Sequence, residues 1–218
     1  MQRRTTTQVE MEFIEKEEVE TPAELLAFSR SLVDTVHRLH VDAGLLHCDL
    51  STGNVKWSGG QVHLIDFGRA QYYLDGTKTR HETGTRGFEA PEILNGEAHT
   101  VATDTFSVGR IILHAIEDVC GSAMKGDDKD EAKNEDNRIR RVLEGLSSRL
   151  TRDAPGSRLE LVDALGELDD ALIADDMSEG GGEDNVPIKI LHRFSSVCVT
   201  DSPPHKMAKV TPVEILNH

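Results

Sequence analysis

Cysteine, aromatic residues, positive charge and long apolar runs are all scarce in this 218-residue chain. The three cysteines, Cys48, Cys120 and Cys198, are odd in number and show no metal-ligand spacing. That excludes a disulfide framework and a cysteine-built zinc site, and points to a reducing, intracellular setting, cytoplasmic or nuclear. No apolar stretch approaches the ~20 residues that a spanning helix needs. Met1-Gln2-Arg3-Arg4-Thr5 leads into no apolar core, so neither a membrane association nor a signal peptide is expected. Lys and Arg number 24 against 39 Asp and Glu, a net charge of −15. Nucleic-acid binding needs a basic face to meet phosphates and is not expected as the main activity. The charge would suit a basic protein substrate, or simply a solvated acidic surface. The ten histidines include no pair at ligand spacing.

What is present is helical periodicity. Thr21-Pro22-Ala23-Glu24 is a capping box with proline at the first helical position. Leu25, Phe28, Leu32, Val36 and Leu39 follow at steps of three and four, one apolar face. A second apolar set is Phe106, Ile111, Ile112, Ala115 and Ile116; a third is Ile139, Val142, Leu143 and Leu146. Ser157-Arg158-Leu159-Glu160 has the form of another capping box, ahead of Leu161, Leu165, Leu168 and Leu172. Val55-Lys56-Trp57, the Ser58-Gly59-Gly60 turn and Val62-His63-Leu64-Ile65 spell a β-hairpin. The acidic stretch 126–136 is expected to be a mobile loop. Past Asp176 the pattern breaks into Met177-Ser178-Glu179-Gly180-Gly181-Gly182-Glu183-Asp184, an expected acidic linker, and a tail with Pro187, Pro203, Pro204 and Pro212. The fold expected is mainly α, of α+β type: a helical bundle with one small hairpin.

Around that hairpin lie three motifs in order: His47-Cys48-Asp49-Leu50 with Asn54, then Asp66-Phe67-Gly68, then Gly84-Thr85 leading to Ala90-Pro91-Glu92. Each alone is weak, since Asp and Gly mark many turns after strands. Together, with a hairpin to return the chain, they are specific. The set resembles the catalytic half of a eukaryotic protein kinase of the Ser/Thr branch. That resemblance implies ATP-dependent phosphorylation of a protein substrate with ATP and Mg²⁺ as cofactors. It implies Asp49 as catalytic base, Asn54 and Asp66 as the ligands of Mg²⁺ and hence of the nucleotide, and Phe67 packed under the site. Thr85 takes the place that touches the catalytic Asp, while His47 and Gly68 belong to the motifs' framework. Asp104, in Asp104-Thr105-Phe106-Ser107-Val108-Gly109, resembles the family residue that ties down the catalytic loop. Arg158, after Asp153-Ala154-Pro155, resembles the partner of the Ala-Pro-Glu glutamate, so a buried Glu92–Arg158 pair is expected.

The sequence also departs from the family pattern. Only 46 residues precede His47, with no Gly-rich phosphate loop and no Val-Ala-Ile-Lys strand. Gln8-Val9-Glu10-Met11-Glu12-Phe13-Ile14-Glu15 resembles the last N-lobe strand. Residues 1–20 are therefore expected to be a remnant of that strand and the hinge, 21–176 a kinase C-lobe, and 177–218 a linker and tail, with the N-lobe sheet absent. Cys48 stands where the family carries an Arg that meets activation-loop phosphate. Ser51 stands where Ser/Thr kinases carry a Lys that touches the γ-phosphate. The Asp-Leu-Ser…Asn string is similar to atypical ribosome-maturation kinases and small-molecule phosphotransferases, but the Gly84–Glu92 stretch favours the protein-kinase branch. Between Asp66 and Glu92, Tyr72, Tyr73, Thr77, Thr79 and Thr83 offer hydroxyls, and Lys78, Arg80 and His81 make the middle basic. The expected function is a kinase-like domain impaired as an isolated chain. The alternative is a non-catalytic pseudokinase or interaction module.

Overall fold

Thr21 opens the first helix, α1 (Pro22–Val41), by a reciprocal cap. Its hydroxyl accepts from the Glu24 N–H at 3.2 Å, and the Glu24 carboxylate accepts from the N–H groups of Glu20 at 2.9 Å and Thr21 at 3.2 Å. These donors, Glu20 first, hold the Glu24 carboxyl below its ordinary value. The buried face of α1 carries Leu25, Phe28, Leu32 and Val36 as spaced, widened by Leu26, Ser29 and Val33. Its last turn differs from expectation: Leu39 is only half-buried and His40 takes the buried place.

The computed structural model describes residues 13–73, 84–121 and 135–179. Apart from Phe13, all the described residues belong to one compact unit, Ile14–Gly181. The acidic stretch up to residue 134, the activation-segment hydroxyls Thr77, Thr79 and Thr83, and most of the expected first strand lie outside the described residues. Residues 13–20 contain no strand, although the Glu17 N–H donates to the Trp57 carbonyl at 2.8 Å.

Two small antiparallel sheets follow α1. β2 (Val55–Ser58) and β3 (Gln61–Leu64) form the expected hairpin, in register Val55 to Leu64 and Trp57 to Val62. Val55, Trp57 and Val62 face the core, where the Trp57 ring meets Phe28 edge-on at 5.8 Å. The second sheet pairs β1 (Leu45–Leu46) with β4 (Gln71–Tyr72), two residues each and too short to leave a period-two signal.

The remaining helices wrap one apolar core. After the single turn α2 (Pro91–Leu94), the central helix α3 (Val101–Cys120) begins three residues before Asp104 and buries Val108, Ile111, Ile112 and Ile116. Phe106 lies off this core, for a reason given by Arg158 below. α4 (Glu135–Leu150) adds Ile139, Leu143, Leu146 and Leu150. α3 and α4 meet at Gly109, where a Cβ would stand 2.7 Å from Thr151 Cγ2 and 2.8 Å from Leu150 Cβ. The Ser147 hydroxyl closes that contact by donating to the Gly109 carbonyl at 2.9 Å. α5 (Leu161–Glu179) packs on α1, with Arg30 Nε 2.9 Å from Asp169 Oδ1.

Two expectations about α5 are corrected. Ser157 does not cap it: Ser157 ends a separate 3₁₀ turn, Pro155–Ser157, and its hydroxyl donates to the Ala154 carbonyl at 2.8 Å. Arg158 is extended instead, at φ −69° and ψ 145°, and α5 starts at Leu161. The helix also runs on to Glu179, into the stretch expected to be linker.

Arg149 and Glu167 join α4 to α5 through a two-pronged pair, one prong being Nη1 to Oε1 at 2.6 Å. The hydrogen bond from Arg149 holds the Glu167 carboxyl below its ordinary value. A depressed carboxyl contributes stability above its unfolded value, near 4.5, and loses it as pH falls through the lower folded value. Both side chains are over a third exposed, so the effect is small. Glu167→Gln is expected to shift the acid limb of a denaturation profile slightly upward in pH while leaving stability above neutrality lowered by a nearly constant amount.

Among the described residues the fold is thus mainly helical with two small antiparallel sheets. No described helix is long and apolar enough to cross a membrane.

Candidate active site

The hairpin sets the site's geometry. The chain turns at Ser51, whose carbonyl accepts from the Asn54 N–H at 3.0 Å, then runs out along β2 and back along β3. On return, the Ile65 N–H donates to the Asn54 carbonyl at 3.0 Å, which brings Asp66 alongside Asn54. The Asn54 amide nitrogen donates to the Asp49 carbonyl at 2.8 Å, leaving the amide oxygen as the ligand-type atom.

Asp49 is held from two sides. Thr85 donates its hydroxyl to Oδ1 at 2.8 Å, and Arg69 Nε lies 3.5 Å from Oδ2. The carboxylate side chain is 15% exposed, so it is sheltered yet reachable. Gly84 permits the close approach of the 84–92 segment: a Cβ there would meet Asp49 Oδ1 and the Cys48 carbonyl at 3.3 Å each. Ser51 is buried.

Beneath Asp49, the loop backbone is pinned by Asp104. Its carboxylate accepts from the His47 N–H at 2.8 Å and the Cys48 N–H at 3.1 Å, and His40 Nε2 lies 3.0 Å from Oδ2. Asp104 is 1% exposed and His40 4%. Cys48 adopts a φ of +65°, a left-handed conformation that a side chain rarely takes. Its N–H bond to Asp104 secures that conformation. The His47 ring bridges to the far strand, with Nε2 3.1 Å from the Ile65 carbonyl, while Nδ1 is buried with no hydrogen-bond partner.

Asp66 is also left-handed, at φ +59°, and exposed; its Oδ1 accepts from the Gly68 N–H at 3.2 Å. Phe67 leans on the His47 ring at 5.0 Å between centroids and keeps 44% exposure.

Glu92 and Arg158 form a buried bidentate pair, at 2.5 and 2.7 Å. Their side chains are 6% and 1% exposed. The guanidinium also donates to the carbonyls of Ala102, Arg152 and Asp153, and lies 5.0 Å over the Phe106 ring. Phe106 thus serves Arg158 rather than the core.

Sequence reasoning missed three residues of this network. His40 sits at the next step after Val36 on α1, a position where periodicity asks for an apolar residue. Tyr73 donates its hydroxyl to the His40 carbonyl at 2.8 Å. Arg69 follows directly on Asp66-Phe67-Gly68.

The family model of the protein kinase domain matches residues 5–172. Myosin light chain kinase 3 of Rattus norvegicus is 38% identical over 94 residues, 42% of this chain and 12% of that protein. The serine/threonine-protein kinase AtPK1/AtPK6 of Arabidopsis thaliana is 35% identical over 86 residues, 39% of this chain and 18% of that protein. Death-associated protein kinase dapk-1 of Caenorhabditis elegans is 33% identical over 120 residues, 54% of this chain and 8% of that protein. The stretch in common spans less than a fifth of each relative.

Proposed function

The chain belongs to the protein kinase family, and from that membership we propose that residues 45–92 form the phosphoryl-transfer half of a kinase active site, acting on Ser or Thr hydroxyls of a protein substrate. The observation that carries the proposal is the held carboxylate of Asp49, fixed by Thr85 at 2.8 Å and backed by Asn54 and the returning Asp66. Asp49 orients the acceptor hydroxyl and takes its proton. Thr85 keeps the carboxylate in one rotamer, and Asp104 keeps the backbone beneath it in place, so little reorganisation is needed at the moment of reaction.

The donor set fits Mg²⁺. Asn54 and Asp66 offer hard oxygen atoms, and Asp66 is exposed towards solvent. No cluster of three or more His, Cys, Asp or Glu suited to a metal exists among the described residues. Two oxygen ligands without a protein-built cage suit an ion that completes its shell with substrate phosphates and water. When bound, Mg²⁺ would neutralise charge on the transferring phosphates.

The same residues support the view that these 218 residues alone transfer phosphate weakly. They contain no Gly-rich loop and no Val-Ala-Ile-Lys lysine, and position 51 is a buried serine. Loss of phosphate positioning removes much of the rate, because in-line geometry supplies a large share of it. The buried serine at position 51, which offers a phosphate no positive charge, favours the second candidate function, a pseudokinase that keeps the lobe for binding. A radiolabelled ATP transfer assay on the purified chain, with Asp66→Ala as control, is expected to give transfer near background in both. Robust transfer abolished by the control would overturn the impairment and mean that the chain, or a dimer of it, completes a nucleotide site.

A further inference from the structure

Arg69 has no part in the function proposed above, yet it touches the residue at its centre. It ends the 3₁₀ turn Phe67–Arg69, and its side chain reaches back until Nε is 3.5 Å from Asp49 Oδ2. We propose that Arg69 is the phosphoryl-binding cation of this site: it rests on Asp49 when no phosphate is present and moves to the terminal phosphoryl oxygens of a bound nucleoside triphosphate, supplying the charge that Ser51 lacks. The inference rests on the phosphoryl-transfer reading and identifies the group that would hold the end of the nucleotide.

Three features carry it. The first is charge. Ser51 is 3% exposed and its hydroxyl brings no positive charge, whereas Arg69 brings a permanent one to the same carboxylate. The second is the looseness of the contact. The pair is a single nitrogen at 3.5 Å with Arg69 40% exposed, unlike the bidentate Glu92–Arg158 pair, and exposed pairs of that kind are weak. Releasing Arg69 does not release Asp49, because Thr85 already holds Oδ1 at 2.8 Å. The third is chemical necessity. Oδ2 must be bare to accept a hydroxyl proton, so in a working site the guanidinium has to leave it. An acceptor hydroxyl sits ~2.6–3.2 Å from its base, and the atom it attacks ~3–3.5 Å beyond. Those distances put the phosphoryl oxygens within one swing of an arginine side chain, whose planar fork matches them bidentately.

The test measures binding, not turnover. Affinities of the non-hydrolysable triphosphate AMP-PNP and of ADP, each with Mg²⁺, are measured by titration calorimetry on the 218-residue chain and on Arg69→Gln and Arg69→Lys. Position 69 is exposed, and circular dichroism checks that each variant is folded. Arg69→Gln is expected to weaken AMP-PNP about tenfold, the scale of one charge-assisted contact, while ADP changes less than twofold. Arg69→Lys, which keeps the charge but not the planar fork, is expected to recover only part of the loss. If Arg69→Gln leaves AMP-PNP unchanged, or weakens ADP equally, the inference is wrong while the phosphoryl-transfer reading stands. If the wild-type chain binds neither nucleotide, both are wrong.

Discussion

Arg158→Ala is expected to lower the thermal midpoint by roughly 6–20 °C. Removing one partner of a buried ion pair typically costs about 3–5 kcal/mol, because it strands the other charge. For a domain of this size each kcal/mol moves the midpoint by about 2–4 °C. The large value follows from how completely Arg158 is used. Its guanidinium meets both oxygens of Glu92 and three backbone carbonyls, and its face covers Phe106. Alanine would leave Glu92 buried at 5% exposure with its principal donor gone. Glu92→Gln removes the charge but keeps the shape, and is expected to cost less than Arg158→Ala. A scanning calorimetry trace of Arg158→Ala that overlays the wild type would mean that the pair contributes nothing net.

The second large effect is expected at Asp104. Asp104→Ala takes the acceptor from two buried backbone donors and from His40. An unsatisfied buried donor costs about 1–3 kcal/mol, so the sum is on the order of 4 kcal/mol. The loss is local before it is global. Cys48 keeps its φ of +65° through the bond to Asp104, so the catalytic loop should relax. Two measurements check this. Amide exchange at His47 and Cys48 should speed up under conditions where α3 and α4 remain protected, and the thiol of Cys48, a buried residue in the wild type, should react faster with a disulfide reagent. Unchanged exchange and thiol reactivity would show that the loop holds its shape without Asp104.

Local signals in the sequence predicted local structure. The Thr21 cap, the apolar stripe of α1 and the β2–β3 hairpin each depend on residues within one or two turns of one another, and they appear as spaced except at Leu39. The mainly helical class followed from those stripes. Pairings far apart in the chain were visible only where the family pattern supplied them, as for Glu92 and Arg158, 66 residues apart. His40 was missed because a histidine on an apolar stripe announces nothing until Asp104, 64 residues away, is seen beside it. The Ser157 box failed because a distant demand overrode a local preference: Arg158 must extend to reach Glu92, which puts a break between Ser157 and α5. Phe106 was assigned to the core by periodicity, but it lies beneath a guanidinium. Arg69 carried no signal, since nothing in the spacing of Asp66-Phe67-Gly68-Arg69 says which way the arginine turns.

The proposed site stands on Asn54 and Asp66 as ligands of one nucleotide-bound cation beside Asp49. Paramagnetic Mn²⁺ in place of Mg²⁺ tests that most directly. With an adenine nucleotide present, nuclear magnetic resonance of the isotope-labelled chain should show line broadening centred on Asn54, Asp66 and Asp49. The broadening should vanish in Asp66→Ala while the resonances of α4 and α5 stay in place. Broadening that is absent from the wild type, or that persists around Asn54 after Asp66→Ala, would contradict the assignment of these residues as the metal-holding half of a kinase site.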